Sequence, residues 1–335
     1  MNNKEAKYKK FVLVREMLET PPVIKNFNAK SLEKPVKSVR KTKKLFLTGE
    51  GSSRIFPAKN MIYNALRGNS KLAIYTGGAR EAAELDLKGY VLFAASNSGK
   101  TKEVISLFRK KKARSKFVLT QNTNSPLKKL SGKAFTLNCG EEKAVSATKS
   151  VIEEALFYHN LLYMLNGKNI PKNVLNQLSK KANKALTMKI DKKITSKLSK
   201  AKVLYFAGRN NGVAEEAALK ANEITRKKSC YLGGTYAVHG IEEAMDKNEA
   251  AIIIEPFKEE EKKFKEVLVR GVGMHVIAIS TGKTLFPTIK IPSMPGYDSY
   301  LQLLACWNLL VEIGISLGIN IDKPKRARKI GNELK

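Results

Sequence analysis

Short apolar runs alternate with amphipathic stretches along the first half of the chain. Five such runs of about four to six residues are separated by turn residues or helical patterns: 44–49, 72–75, 90–94, 116–120 and 135–138. Runs of this kind are typical of parallel strands buried on both faces and covered by helices. The pattern therefore predicts an α/β domain with a parallel sheet of about five strands, closed by a long helix over 147–165.

The pattern returns in the second half of the chain at a constant spacing. Three runs mirror earlier ones: 202–208 mirrors 44–49, 251–255 mirrors 92–96, and 275–279 mirrors 116–120. The spacing is 159 residues each time (208 − 49, 255 − 96 and 275 − 116). We infer an internal duplication of one doubly wound domain. Further helices are expected over 4–18, near 174–198 and over 297–317, with a solvated Lys- and Ser-rich linker over 26–44.

Composition narrows the class of protein. A length of 335 residues suits two α/β domains of about 150 residues each. The 62 basic and 30 acidic residues give a formal net charge of +32, which raises the question of a nucleic-acid partner. Base stacking would require aromatic residues among the lysines. Aromatic residues make up only 7% of the chain, and few of them stand there. We therefore expect no nucleic-acid partner, and at most a field that speeds capture of a small phosphate.

Cysteine and histidine usage argues against metal centres and disulfides. Three widely spaced cysteines form no C-x-x-C pair: Cys139, Cys230 and Cys306. This indicates a reducing compartment and no metal or cofactor, with Cys230 and Cys306 as small buried residues. His159 and His275 stand in apolar surroundings and are expected to pack. No run reaches the ~18 apolar residues that span a bilayer, and the Lys-rich N-terminus has no apolar core behind it, so we expect a cytoplasmic protein without a membrane partner.

Two hydroxyl-rich turns follow strands of the first predicted sheet. They read G-E-G-S-S over 49–53 and A-S-N-S-G-K-T over 95–101, the second preceding a helix over 102–109. Ligands bind beyond the carboxyl ends of parallel strands, and hydroxyls with free amides at a helix start can cradle a phosphate. Such residues also make ordinary caps and turns, but two at one sheet edge favour an anion site, with Lys100 adding charge. The second copy has Glu255-Pro256-Phe257 at the corresponding place, so only the first keeps this loop.

Six pieces between Leu45 and Lys329 carry a family resemblance, in order. They are G-S-S at 51–53, S-N-S-G-K-T at 96–101, E-K-A-V-S-A-T-K at 142–149, E-A-A-L-K-A-N-E at 216–223, V-H-G at 238–240 and D-K-P-K-R-A-R-K at 322–329. They resemble the C-G-T-S, S-x-S-G-x-T, E-x-x-V-A-S-T-K, E-G-A-L-K-L-K-E, K-H-G and D-x-P-x-x-x-x-K segments of sugar isomerase (SIS) domains. The likeness is to the isomerase half of glutamine-dependent glucosamine-6-phosphate synthase, and to stand-alone deaminase and phosphosugar isomerase relatives.

The resemblance implies a fold and a domain layout. The fold is two tandem SIS domains, each a doubly wound αβα sandwich with a five-stranded parallel sheet of flavodoxin-like order. The layout is an N-terminal helix and linker (1–40), a first domain with the phosphate loop (41–172), a second domain with the catalytic Glu and His (173–317), and a tail (318–335).

The resemblance also implies a phosphosugar site where the two domains meet. Its phosphate and sugar contacts would come from Ser52, Ser53, Ser96, Asn97, Ser98 and Thr101, and its wall from Val145, Ala147 and Lys220. Glu223 would move a proton between C1 and C2 of the open-chain sugar, although a charge on such a helix face is often merely solvated. His239 would assist ring opening in the site of the partner subunit, which implies a homodimer. Lys329 would lie over the sugar, and in the synthase the equivalent lysine can form a Schiff base with the ketose.

Departures from the family pattern define the functional alternatives. Glu50, Lys100 and Ala147 replace a cysteine, a glutamate and a sugar-contacting serine, and Met1 opens onto a helix rather than onto an amidase domain. We therefore expect no glutamine-fed synthesis. The leading hypothesis is conversion of glucosamine 6-phosphate to fructose 6-phosphate and ammonia. An aldose–ketose phosphosugar isomerase and a fructosamine-phosphate deglycase stay open, as does a non-catalytic sugar-phosphate sensor.

Overall fold

Ten strands form two five-stranded parallel sheets within residues 1–28, 32–131 and 134–334, which the computed structural model describes. The first sheet contains β1 (Lys44–Thr48), β2 (Ala73–Gly77), β3 (Val91–Ala95), β4 (Ser115–Thr120) and β5 (Ala134–Thr136). The second contains β6 (Val203–Gly208), β7 (Lys228–Gly233), β8 (Ala250–Ile254), β9 (His275–Ser280) and β10 (Thr288–Lys290). The prediction of an α/β protein with two parallel five-stranded sheets is confirmed. Residues 29–31 of the predicted linker, 132–133 of the predicted first domain and 335 of the predicted tail lie outside the described residues.

Both sheets have the same strand order. The first runs β2-β1-β3-β4-β5, and the second, taken from its β7 edge, runs β7-β6-β8-β9-β10. This is the 2-1-3-4-5 order of flavodoxin-like sheets. The first strands begin 159 residues apart (203 − 44), and so do the third strands (250 − 91).

Fourteen α-helices connect and cover the strands within the described residues. Those associated with the first half are α1 (Ala6–Lys9), α2 (Val12–Leu18), α3 (Thr20–Asn26), α4 (Glu33–Thr42), α5 (Ile55–Arg67), α6 (Ala79–Ala82), α7 (Lys102–Lys110), α8 (Pro126–Leu130) and α9 (Lys149–Leu165). The second half adds α10 (Lys172–Thr187), α11 (Lys192–Lys200), α12 (Val213–Thr225), α13 (Glu261–Phe264) and α14 (Asp298–Ser316). Short 3₁₀ turns cover Gly51–Ser53, Tyr236–Val238, Ile241–Ala244 and Lys258–Glu260, and a π-helical segment covers Lys265–Gly271.

The helices before β1 differ from the sequence-based expectation. Pro21 and Pro22 lie in the first turn of α3, a helix that the sequence did not predict, and a missing N–H in a first turn costs no hydrogen bond. The segment interpreted as a solvated linker contains α4, which buries Val36 and Val39 on one face. The other positions of α4 are mainly Lys, Ser and Arg, so its one short apolar stripe did not stand out in the sequence as a helix pattern.

The residues fall into two compact units, each of which contains one sheet. The β1–β5 unit comprises Pro22–Glu142, Ala147–Gln177 and Arg328–Lys335, and the β6–β10 unit comprises Met1–Pro21, Lys143–Ser146 and Leu178–Ala327. The chain thus passes from one unit to the other several times.

Helices cover both faces of the β1–β5 sheet. Phe93 on β3 points to one face, where it contacts Phe157 of α9 at a ring-centroid distance of 5.9 Å. Its neighbours Leu92 and Ala94 point to the other face and join a buried cluster that includes Phe108 of α7. This alternation places apolar residues on both sides of the strand, as a doubly covered sheet requires.

The β6–β10 unit is built around α12 and α14, which pack against each other. Gly314 of α14 permits a close approach, because a Cβ there would lie 2.5 Å from the Cγ2 of Ile321 and 3.2 Å from the carbonyl oxygen of Ile224. Of the described helices, α14 alone is long and apolar enough to cross a membrane, but 83% of its apolar 18-residue window is buried within the protein. Burial of this extent identifies α14 as a core helix.

Candidate functional site

The loop Ser96–Thr101, called the phosphate loop below, follows β3 at its carboxyl end. The Ser96 and Thr101 hydroxyls lie 2.9 Å apart in a hydrogen bond, and the Gly99 amide donates to the Ser96 Oγ at 3.1 Å. The Lys100 amide donates to the Ser98 Oγ at 3.2 Å. Thr101 is the N-cap of α7, yet its side chain makes no capping bond. The loop therefore gathers three hydroxyls at a helix start, where an anion is favoured.

Gly99 fixes the shape of the phosphate loop. Its φ of +62° belongs to the left-handed region, and a Cβ there would lie 2.1 Å from the Ser125 Oγ. The carbonyl oxygen of Asn97 also accepts a hydrogen bond from the Thr120 hydroxyl at 3.2 Å. Only glycine fits position 99, so the loop geometry depends on it.

The turn 49–53 lies beside the phosphate loop. A Cβ on Gly49 would lie only 2.9 Å from the carbonyl oxygen of Ala95, so the two turns approach closely. Ser52 and Ser53 form the 3₁₀ turn that precedes α5, and both are half-buried. The Glu50 carboxylate accepts a hydrogen bond from the Ala79 amide at 2.7 Å, at the start of α6. The residue that replaces the family cysteine therefore caps a short helix.

A buried glutamate that the sequence analysis did not select organises the same region. The Glu142 Oε1 accepts bonds from the Thr148 amide (2.8 Å), the Thr148 hydroxyl (3.0 Å) and the Ser150 amide (3.2 Å). Its Oε2 accepts from the Ser150 hydroxyl (2.7 Å) and the Asn97 Nδ2 (3.1 Å), and the Lys329 Nζ lies 3.6 Å away. Glu142 thus links the phosphate loop, the start of α9 and the C-terminal tail within the β1–β5 unit.

The charge of Glu142 is stabilised by these partners. Burial would raise the pKa of the carboxyl, but the Lys329 ammonium and the Ser150 and Thr148 hydrogen bonds outweigh burial and lower that pKa. Lys329 is therefore a counter-ion of Glu142, while its side chain remains 32% exposed. A Schiff base on Lys329 stays a prediction.

The C-terminal tail pairs with the end of the phosphate loop. Thr101 and Glu333 form an antiparallel bridge, and the Lys102 amide donates to the carbonyl oxygen of Asn332 at 3.0 Å. The Lys100 Nζ, expected to add charge for an anion, lies 2.9 Å from the Glu333 carboxylate. Part of its charge is therefore neutralised by the tail.

Helix α12 of the β6–β10 unit carries three charged residues on one face. Glu216, Lys220 and Glu223 stand at i, i+4 and i+7, so they share that face. The Lys220 Nζ lies 3.4 Å from the Glu216 Oε1 and 3.0 Å from the Glu223 Oε2. Glu216 and Lys220 are fully buried, which contradicts the alternative of a merely solvated charged face for these two residues. Burial lowers the pKa of Lys220, but Glu223 and Glu216 outweigh burial and raise it, so the ammonium is retained.

Glu223 is the accessible member of this set, with a side chain that is 20% exposed. Its Oε2 accepts hydrogen bonds from the Lys220 Nζ at 3.0 Å and from the Ser146 Oγ at 2.8 Å. Its Oε1 has no hydrogen-bond partner among the described residues. A carboxylate held through one oxygen and open at the other has the geometry of a general base.

The remaining predicted site residues are less closely tied to Glu223. Val145 is half-buried, and its amide donates to the carbonyl oxygen of Asp322 at 3.2 Å. Ala147 is half-buried in the β1–β5 unit. His239 follows the 3₁₀ turn Tyr236–Val238 and is exposed, and no hydrogen bond or ion pair joins it to Glu223 in the described chain. The assignments of all these residues to a substrate site stay predictions.

Other reactive side chains lie outside this arrangement. Burial lowers the pKa of His159 to about 4, and its ring packs 5.5 Å from that of Tyr163, which confirms a packing role. Cys306 is buried as expected, but Cys230 is exposed on the edge strand β7, so the expectation for Cys230 was wrong. The described residues contain no cluster of three or more His, Cys, Asp or Glu side chains suited to a metal ion.

The sequence analysis missed Glu142, Ser146 and Glu216. Glu142 and Glu216 begin two of the segments that carry the family resemblance, so a signal for them was present. Ser146 gave none, because the family serine stands one position later and the difference was interpreted as the loss of a hydroxyl at Ala147. The structure shows a hydroxyl at the neighbouring position instead, directed to Glu223.

Comparison with known proteins adds fold neighbours. The sequence matches no family model and no curated protein. The C-terminal domain of glucosamine-fructose-6-phosphate aminotransferase from Francisella tularensis is similar in structure, with a TM-score of 0.79 and 20% identity over 94% of this chain and 98% of that one. Tagatose-6-phosphate ketose/aldose isomerase from Escherichia coli is also similar, with a TM-score of 0.75 and 15% identity over 96% of this chain and 99% of that one. Glucosamine-6-phosphate deaminase from Thermotoga maritima has a TM-score of 0.73 and 20% identity over 95% of this chain and 99% of that one. The chain therefore has the fold of SIS-domain phosphosugar isomerases.

Proposed function

We propose that this chain is an enzyme that acts on a phosphorylated sugar, transfers a proton between C1 and C2, and releases ammonia when the sugar is glucosamine 6-phosphate. The observation that carries the proposal is the arrangement of Glu223. Its Oε2 is held by Lys220 and Ser146, and its Oε1 is open among the described residues. A sensor has no need of a carboxylate prepared in this way.

The phosphate loop supports the choice of a phosphorylated substrate. Ser96, Ser98 and Thr101 bring hydroxyls to the N-terminal end of α7, where a dianion is favoured. The Oδ1 of Asn97 is buried and has no partner in the described chain, while its Nδ2 is bonded to Glu142. We propose that this oxygen accepts a hydrogen bond from a sugar hydroxyl, with Ser52 and Ser53 contributing further contacts.

The proposed reaction balances without an external oxidant. Glu223 takes the C2 proton of the open-chain amino aldehyde and returns it to C1, while the amine nitrogen loses a proton and the C1 oxygen gains one. These two transfers convert the sugar to a ketose imine. Water adds to C2 of the imine, and the C2–N bond then breaks to give fructose 6-phosphate and ammonia. A substrate without the amine would undergo the same proton transfer and leave as the ketose.

We propose supporting roles for His239 and Lys329. Ring opening needs a proton donor at the ring oxygen, and His239 is an exposed side chain with no hydrogen bond or ion pair in the described chain. We propose that it acts in the site of a second copy, which requires a homodimer. Lys329 would bring a positive charge over the sugar, with Glu142 as its counter-ion.

A turnover screen with two readouts tests the proposal. The chain is incubated with glucosamine 6-phosphate, fructose 6-phosphate, glucose 6-phosphate and a phosphorylated fructosamine, and both ammonia and product sugar are measured. Equal amounts of ammonia and fructose 6-phosphate from glucosamine 6-phosphate are expected. Interconversion without ammonia would indicate a plain isomerase, and turnover of the fructosamine a deglycase. Binding without any turnover would indicate a sensor and contradict the proposal.

A matched pair of variants assigns the activity to Glu223. Glu223→Gln removes the base and should abolish turnover. Glu266→Gln removes one negative charge from an exposed side chain of the same unit, which pairs with Lys263 at 3.8 Å, and should behave as wild type. Equal activity in both variants would assign the observed turnover to another group.

A further inference from the structure

Ser146 is fixed in place by hydrogen bonds to the backbone amides of the three residues that precede it. The amides of Lys143 and Ala144 donate to the carboxylate of Glu16 on α2, the second at 3.3 Å. The next amide, that of Val145, donates to the carbonyl oxygen of Asp322 at 3.2 Å. Three consecutive amides are therefore bonded before the chain reaches Ser146, so the position of its side chain is set in advance.

The Ser146 hydroxyl is buried and directed to Glu223. Ser146 is 1% exposed, and its Oγ donates to the Glu223 Oε2 at 2.8 Å. Lys220 donates to the same oxygen, but its ammonium also lies 3.4 Å from Glu216. An ammonium is a point charge on a flexible stem, whereas a serine on a fixed backbone defines a direction.

We propose that Ser146 is the positioning residue of Glu223: it holds the Oε2 so that the Oε1 faces the reacting sugar carbon. This inference rests on the proposed function, in which Glu223 is the base. A hydrogen bond donated to a carboxylate favours its charged form and fixes one of its rotamers. Among the described residues, Lys220 is the charged group bonded to Glu223, and Lys220 in turn contacts Glu216. All three of these residues lie on α12, whereas Ser146 contacts Glu223 from outside that helix.

The inference also explains the order of residues at 146 and 147. A serine at 147 in place of 146 would move the hydroxyl by one position along the chain, away from the peptide that the Val145 and Ala144 bonds fix. The exchanged pair Ser146→Ala with Ala147→Ser should therefore lower kcat as Ser146→Ala does.

Kinetics of the full chain test the role. Ser146→Ala should lower kcat about tenfold, since a hydrogen bond to a charged group is being removed, and should change KM less than twofold. Ser146→Thr keeps the hydroxyl and should restore most of the lost kcat.

A second buried serine provides the control. Ser179 belongs to the same unit, is 9% exposed, and its Oγ donates to the carbonyl oxygen of Pro21 at 2.7 Å. Ser179→Ala removes a comparable hydroxyl without touching Glu223, so kcat should stay as in wild type. Wild-type kcat in Ser146→Ala would overturn the proposal, as would an equal loss of kcat in Ser179→Ala.

Carbon NMR separates failure of this inference from failure of the proposed function. The side-chain carboxyl carbons of glutamate are labelled with ¹³C, and the Glu223 signal is assigned by its loss in Glu223→Gln. At one fixed pH, Ser146→Ala should change the chemical shift of this signal, because the carboxylate loses a hydrogen-bond donor, whether or not the protein turns over any sugar. An unchanged signal in Ser146→Ala would overturn the role of Ser146, whereas a changed signal in a protein without turnover would contradict only the proposed function.

Discussion

Lys220 is the residue whose removal should affect the β6–β10 unit most. It is fully buried, and its Nζ lies 3.0 Å from Glu223 and 3.4 Å from the equally buried Glu216. At an effective dielectric constant of about 20, each attraction is on the order of 5 kcal/mol, and desolvation of the three charges opposes it. Lys220→Met keeps the volume but leaves two carboxylates without their cation. Removing one partner of a buried ion pair typically costs about 3–5 kcal/mol, and we expect a loss of that size in the free energy of unfolding.

Urea unfolding at several pH values measures this loss. The control is Lys263→Met, because Lys263 is an exposed partner of Glu266 and should contribute less than about 1 kcal/mol. The pKa of Lys220 is raised above 10.5, so its contribution is fully present below that pH and is lost only as the pH rises through the folded-state value.

A double variant makes the reasoning refutable. Glu216→Gln added to Lys220→Met removes one stranded carboxylate and should recover part of the lost stability. If Lys220→Met unfolds within about 1 kcal/mol of wild type, or if the added Glu216→Gln lowers its stability further, the charges on α12 are not coupled as their distances indicate.

Three more predictions concern the β1–β5 unit. Glu142→Gln should lower the free energy of unfolding, measured in urea at pH 7, by about 2–3 kcal/mol. The pKa of Glu142 is lowered, so the free energy of unfolding of the wild type should fall as the pH drops below 4.5, while that of the variant changes less. The same dependence on pH in both proteins would contradict this. Gly99→Ala should weaken the binding of inorganic phosphate at least tenfold, as measured by calorimetry. The control Gly282→Ala, at a position with open space around it, should leave this affinity unchanged. Equal affinities in the two variants would show that the phosphate loop tolerates a side chain at position 99. Lys100→Glu and Glu333→Lys should each speed proteolysis of the tail up to about fivefold, because each breaks the 2.9 Å ion pair between these two side chains. The double exchange restores an ion pair and should bring the rate back; no recovery would show that this pair does not hold the tail.

The central strands could be predicted from the sequence because burial on both faces leaves an uninterrupted apolar run. All five residues of β3 and all five of β8 are buried, and the spacing of 159 residues was visible in them. The edge strands β7 and β10 were not predicted. Alternate residues of β7 are more exposed, and β10 has only three residues, so neither carries a run long enough to recognise.

The phosphate loop was predictable because it is local. Its hydroxyls, its glycine and the helix that follows lie within one stretch of the chain. The charges of α12 were harder to interpret, since a glutamate and a lysine at helical spacing are normally solvated. Their burial depends on the packing of α12 against α14, and the Ser146–Glu223 bond joins residues 77 positions apart. Long-range packing cannot be deduced from one sequence, and neither can the bonding partner of a hydroxyl that stands one position earlier than in the family.

Proton exchange with solvent tests the central claim most directly. The chain is incubated in D₂O with fructose 6-phosphate, and deuterium at C1 is followed by NMR, with Glu223→Gln and Glu266→Gln as paired variants. We predict exchange by wild type and by Glu266→Gln, and none by Glu223→Gln. Exchange by Glu223→Gln at the wild-type rate, or no exchange by wild type with this or any other phosphorylated sugar of the panel, would contradict the assignment of Glu223 as the base.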